Sequence, residues 1–98
     1  MARKTMKKEA VMKKLGRFIK SVNVAASNQI VLYFEKGKLF LSYSKTIAAK
    51  IGNKWYIDPS YHDYSTTTMK YMKQFSGLSA EQRYRMLATG EAISVDFN

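Results

Sequence analysis

Cysteine is absent from this chain, which excludes disulfides, thiolate nucleophiles and zinc–thiolate sites together. That absence fits a reducing compartment. Acidic residues are scarce, seven against 17 Lys and Arg, and histidine and proline occur once each. A carboxylate-rich metal centre or an acid–base pair therefore has little to be built from, and no catalytic residue, metal or cofactor is expected. Long apolar runs are also missing. None approaches the roughly 20 residues that span a bilayer. The basic N-terminal stretch is interrupted by Lys13, Lys14, Arg17 and Lys20, so it does not continue like a secretory signal. A cytoplasmic, non-enzymatic protein with no membrane association is the expectation.

What is present is positive charge. The formal net charge is +10 over 98 residues, and lysines outnumber arginines 13 to 4. Such an imbalance attracts polyanions. Lysine offers a point charge rather than the bidentate fork of arginine, so the bias favours contact with a phosphate backbone over reading of bases. The length corresponds to one domain with one modest core.

Along the chain, Val11, Met12, Leu15, Phe18, Ile19 and Val22 recur at helical spacing, which predicts an amphipathic basic helix over residues 5–22. Gly16 inside it weakens the prediction. Residues 23–28 form a connector. Short β-type runs follow from 29 to 57, broken by a turn at Glu35-Lys36-Gly37-Lys38, where Gly37 is available for positive φ, and by Gly52-Asn53. Ile47, Ala49 and Ile51 alternate onto one face, as do Trp55 and Ile57. An antiparallel meander of three to four strands is predicted, closed by Asp58-Pro59. Two short helices are expected between 65 and 90. Ser65 caps the first, Gly77 stops it, and Ser79 with Gln82 forms a capping box for the second. Ile93, Val95 and Phe97 alternate with polar residues, the pattern of an added edge strand. The predicted class is α+β in a single domain spanning 1–98.

Eight of the first 20 residues are basic: Arg3, Lys4, Lys7, Lys8, Lys13, Lys14, Arg17 and Lys20. A helix with such a face can lie along a phosphate backbone and release counterions. The competing reading is a solvated face on a core-packed helix. Lys36 and Lys38 in the hairpin, and Thr66, Thr67 and Lys70 at a capped helix start, are the supporting candidates. The aromatics Tyr33, Phe40, Tyr43, Trp55, Tyr56, Tyr61 and Tyr64 gather on or near the strands, where rings either stack unpaired bases or pair across strands as core. The second use is the commoner, and the sheet register decides between them.

Two further patterns are weaker. Asp58, His62 and Asp63 share a loop, a pattern more often found in Asx turns than in active sites. The stretch Phe75-Ser76-Gly77-Leu78-Ser79 is spaced like a helix-turn-helix, but Lys73 replaces the small residue that lets helices approach. Arg83 replaces a buried apolar group.

The segments Leu41-Ser42-Tyr43-Ser44-Lys45-Thr46-Ile47-Ala48, Gly52-Asn53-Lys54-Trp55-Tyr56-Ile57 and Tyr64-Ser65-Thr66-Thr67-Thr68-Met69-Lys70 together resemble a small uncharacterised family found in bacteriophages and in bacteria carrying phage genes. The family pattern runs Ser-Tyr-x-Thr-x-Ile-Ala, a short hairpin, then Tyr-Ser-x-Thr-Thr-x-Lys-His opening a helix. The likeness covers about residues 39–76 and departs at Tyr71, where the family often has His. The resemblance implies a phage context and a β-meander followed by a helix. Small phage proteins often bind nucleic acid or disable host machinery. The expected partner is therefore DNA or RNA, or alternatively a host defence nucleoprotein of the kind targeted by anti-CRISPR proteins. A homo-oligomer is left open.

Overall fold

The computed structural model describes residues 5–24 and 28–98. Its elements are β1 (Met6–Lys7), α1 (Lys8–Leu15), β2 (Phe18–Asn23), β3 (Gln29–Phe34), β4 (Gly37–Ser42), β5 (Lys45–Ile51), β6 (Lys54–Ile57), α2 (Thr66–Ser76), α3 (Ala80–Thr89) and β7 (Ala92–Asp96). The seven strands form one mixed sheet in the order β1-β7-β6-β5-β4-β3-β2. Strands β2 to β6 run antiparallel in sequence order. The chain then crosses over through α2 and α3 and returns as β7, parallel to β6 on one side and to β1 on the other.

This corrects the predicted fold. Among the described residues the strands number seven in a mixed sheet with three helices, not three to four in an antiparallel meander with a long N-terminal helix. The largest departure is at residues 16–23. Gly16 ends α1 at φ +79°, ψ −148°, a conformation open to glycine and costly for other residues. The chain then becomes a strand. Phe18, Ile19 and Val22 do fit a helical stripe, but Phe-Ile-Lys-Ser-Val-Asn is equally a β-type run, and pairing with β3 decides it. The tail departs too. β7 lies inside the sheet rather than at its edge, because the α2–α3 crossover delivers it beside β6.

Helices cover both faces of the sheet. On one side, Val11 and Leu15 of α1 pack on Leu39, Ala49, Tyr56, Val95 and Phe97. On the other, Met72, Phe75, Leu78, Met86 and Leu87 from the α2–α3 region pack over Val31, Phe40, Ile47, Ala48, Trp55 and Ile57. Each large apolar side chain buried in this way contributes about 1.5–3 kcal/mol. A β-bulge explains why Ile47 and Ala48 share a core. Phe40 pairs with Ala48 but Leu41 pairs with Thr46, so Ile47 is the extra residue. The predicted face-sharing of Ile47 with Ala49 and Ile51 is thereby broken, whereas Trp55 and Ile57 do lie together.

The turns follow their chemistry, with one reassignment. Tyr43 and Ser44 both take positive φ (52° and 68°) between β4 and β5, the geometry of a two-residue hairpin loop. Gly37 is not a positive-φ residue. A Cβ there would sit 2.2 Å from the Lys50 carbonyl oxygen, so glycine is required by close backbone approach rather than by turn dihedrals. Helix α2 is capped by the Ser65 hydroxyl and closed by Gly77 at φ 73°. Helix α3 carries the reciprocal Ser79–Gln82 capping box.

Candidate nucleic-acid interface

Strand register places one row of side chains straight across the sheet. Lys20 pairs with Tyr33, Tyr33 with Lys38, Lys38 with Lys50, and Lys50 with Trp55. The next row, two residues along each strand, runs Val22, Val31, Phe40, Ala48, Ile57. From Val31 to Ile57 that apolar row lies under α2 with Met72 packed on it, while Val22 at the sheet edge is exposed. The basic–aromatic row runs along the border of that cover: Lys20 is exposed and Tyr33, Lys38 and Lys50 are half-buried, while Trp55 is buried in the core against Phe75 of α2.

The lysines of this row are held by rings. The Lys20 ammonium sits 5.3 Å from the centre of the Tyr33 ring, Lys38 5.2 Å from Phe75, and Lys50 4.7 Å from Trp55. Each contact is worth about 0.5–1 kcal/mol when exposed. Lys38 and Lys50 are directly opposite across the β4–β5 ladder. Like charges so placed destabilise a sheet. An anion bridging the two would relieve that cost, and neither ring can.

Beside the row is a cleft of about 240 Å³ lined by Val24, Val31, Tyr33, Lys38, Tyr71, Gln74 and Phe75. It lies between the β2–β4 end of the sheet and α2. Its lining residue Phe75 is stacked on Phe40 with ring centres 5.3 Å apart and is edge-on to Trp55 at 5.6 Å. A shallower depression lined by Tyr33, Phe34, Gly37, Lys38, Lys50 and Gly52 continues from it across the row.

The sequence candidates divide over the molecule. Lys20 and Lys38 belong to the row, whereas Lys70, 5.4 Å from the Tyr71 ring, lines a separate depression with Thr66, Lys73 and Arg83 between α2 and α3. Lys7 on β1 and Lys8, Lys13 and Lys14 on α1 are exposed, but α1 covers the opposite face of the sheet. Arg17 is an exposed turn residue whose amide donates to the Glu35 carboxylate at 2.8 Å, and Lys36 is exposed in the facing hairpin. The single basic helical face of Lys13, Arg17 and Lys20 therefore does not form, because the helix ends at Leu15. Thr66 is exposed and Thr67 half-buried in the first turn of α2. The buried threonine is Thr68, whose hydroxyl contacts Ser42 at 2.8 Å and Ser65 at 2.9 Å. Arg3 and Lys4 lie outside the described residues. Sequence reasoning missed Lys50, Tyr71 and Phe75. The alternation of Lys38 with Phe40 and of Lys50 with Ala48 was visible, but not which strands would align them.

The side chains of Asp58, His62 and Asp63 are engaged in hydrogen bonds within the fold. The Asp58 carboxylate accepts from the amides of Ser60 (2.9 Å) and Phe97 (3.2 Å) and from the Asn98 side chain (3.1 Å), tying the loop to the C-terminal segment. His62 is buried, and its Nδ1 accepts from Arg83 Nε at 3.0 Å. Arg83 is itself fully buried and donates to the Leu78 carbonyl at 2.7 Å. The position expected to hold an apolar group in a helix-turn-helix thus holds a guanidinium with its hydrogen bonds satisfied. Burial pushes the His62 pKa below its ordinary value, against the pull of Asp63. Burial likewise lowers that of Arg83, while a hydrogen bond to Asp63 raises that of Tyr84. Among the described residues no group of three or more His, Cys, Asp or Glu could hold a metal ion. No helix among them is long and apolar enough to cross a membrane.

Residues 6–91 match a family of unknown function, DUF8033. The chain belongs to DUF8033. No curated protein and no solved structure matches it. The matched span takes in every residue of the basic–aromatic row and the cleft, so this DUF8033 member carries the whole candidate interface within its family domain.

Proposed function

We propose that this DUF8033 protein is a non-catalytic, cytoplasmic nucleic-acid-binding protein, of phage type, that grips the phosphate backbone. The observation that carries the reading is the row Lys20–Tyr33–Lys38–Lys50–Trp55, in which two lysines face each other with no intervening carboxylate in the pairing. Lys70, Thr66 and Thr67 on α2 and Lys36 in the hairpin extend the contact. Lys7, Lys8, Lys13, Lys14 and Arg17 add longer-range attraction, consistent with the net charge of +10. Binding of labelled single- and double-stranded DNA and RNA across a salt series tests it. Affinity that falls steeply with salt supports the reading, and affinity that is weak at every salt concentration removes it.

A second reading has its own observation. Strand β2 is exposed along its whole length at the sheet edge, with Phe18 52% and Ile19 59% exposed. Such an edge can pair with a strand of a protein partner. A phage-encoded inhibitor of a host defence complex would use it. Capture of a defined host effector from nuclease-treated extract, lost in Phe18→Lys/Ile19→Lys, supports this alternative. Loss of every partner on nuclease treatment counts against it.

A further inference from the structure

Each of the three rings that line the cleft has a lysine ammonium over it. Lys20 stands 5.3 Å from Tyr33, Lys70 5.4 Å from Tyr71, and Lys38 5.2 Å from Phe75. The walls are otherwise Val24 and Val31, with Gln74 supplying an amide. Three π faces, each with a lysine ammonium over it, are suited to a flat ring with negative charge attached next to it. At about 240 Å³, the cleft is just below the roughly 300 Å³ at which pockets for whole drug-sized ligands begin. That is room for one planar ring system, with its sugar and phosphates left outside.

We infer that the cleft receives one unpaired base of a single-stranded nucleic acid, inserted between Tyr33, Tyr71 and Phe75, while Lys20, Lys38 and Lys70 leave the ring faces for the flanking phosphates. The inference rests on the nucleic-acid reading above and adds to it the ligand's form. A paired base cannot enter, since its edge is occupied and its faces are stacked in the duplex. An unpaired base offers both faces and a hydrogen-bonding edge within reach of Gln74. The neighbouring Lys38–Lys50 pair then takes the next phosphate along the shallow depression lined by Gly37, Lys50 and Gly52.

The test compares four labelled probes of equal length at one salt concentration: oligothymidylate, oligouridylate, a DNA duplex, and an abasic DNA strand. The proteins are wild type, Tyr71→Ala, Tyr71→Phe and Val24→Trp. Val24 is 44% exposed, so the last variant plugs the cleft from its mouth without removing a buried group. Expected are tighter binding of a single strand than of duplex or abasic strand, and a loss of about five- to a hundredfold in Tyr71→Ala and Val24→Trp, recovered in Tyr71→Phe. Equal affinity for abasic and base-bearing strands overturns the inference, as does unchanged binding by Val24→Trp. If that happens while Lys38→Gln/Lys50→Gln still weakens binding, the phosphate reading survives and the base cleft falls. If wild type binds none of the probes, both fall.

Discussion

Replacing Lys38 and Lys50 together by glutamine removes two charges from the centre of the row and leaves their aliphatic stems to cover Phe75 and Trp55. If Lys20, Lys38, Lys50 and Lys70 each neutralise one phosphate of a single strand, log affinity should fall with log salt at a slope of about −2.8, at roughly 0.7 per phosphate. The double variant should halve this to about −1.4. Between 50 and 200 mM salt, the affinity loss should then shrink from about fiftyfold to about sevenfold, on the same slopes. Folding should be little affected. Two cation–π contacts of about 0.5–1 kcal/mol each are lost, but an unfavourable like-charge pairing across β4 and β5 is relieved as well. Fluorescence anisotropy over the salt series gives the slope, and a thermal melt monitors the fold. The control is Lys13→Gln/Lys14→Gln on α1, which removes the same charge from the opposite face of the sheet. A flattened slope in the α1 pair and an unchanged one in the sheet pair would refute the reasoning and move the interface to the other side of the molecule.

Other outcomes follow from the buried polar groups. Arg83→Met should cost roughly 2–4 kcal/mol in urea unfolding, since His62 Nδ1 and the Leu78 carbonyl lose their donor; a loss under about 1 kcal/mol contradicts that role. The folded protein holds His62 neutral to a lower pH than the unfolded chain does, so the unfolded state binds the extra proton first. Stability should therefore be fully present above about pH 6.5 and decline as pH falls below it, by up to about 1.4 kcal/mol per pH unit from this group. Urea midpoints for wild type and His62→Gln between pH 7.5 and 5 check this, and parallel curves for the two proteins exclude His62 as the source. Thr68→Val should cost about 1–3 kcal/mol, because the buried Ser42 hydroxyl is left without its 2.8 Å partner. Gly37→Ala should lower the melting temperature and weaken polyanion binding together, because the Lys50 carbonyl must move from a contact of 2.2 Å.

The parts of the fold that depend on near neighbours in the chain could be read from it. The Ser65 cap, the Gly77 stop and the Ser79–Gln82 box involve residues no more than a few positions apart, and the chemistry of each is local. The side-sharing of Trp55 and Ile57 follows from strand period alone. Residues 18–23 failed because their apolar spacing satisfies two periods at once. The strand prevails only because β3 presents a partner, with Lys20 opposite Tyr33 and Val22 opposite Val31. Ile47 failed because an inserted bulge residue has no signature in a single strand. His62 and Arg83, 21 residues apart, gave no sign of meeting.

The candidate site shows the same division. Composition by itself determined that the protein carries excess positive charge, mostly as lysine, and has no cysteine. Where that charge is useful was decided only by tertiary structure. Lys20, Tyr33, Lys38, Lys50 and Trp55 are separated by up to 35 positions and become neighbours through four antiparallel registers. A register is set by which apolar side chains can be buried together over the whole sheet, here Val31, Phe40, Ala48 and Ile57 under α2. The core fixes the alignment, and the basic–aromatic row two residues along is carried into line with it.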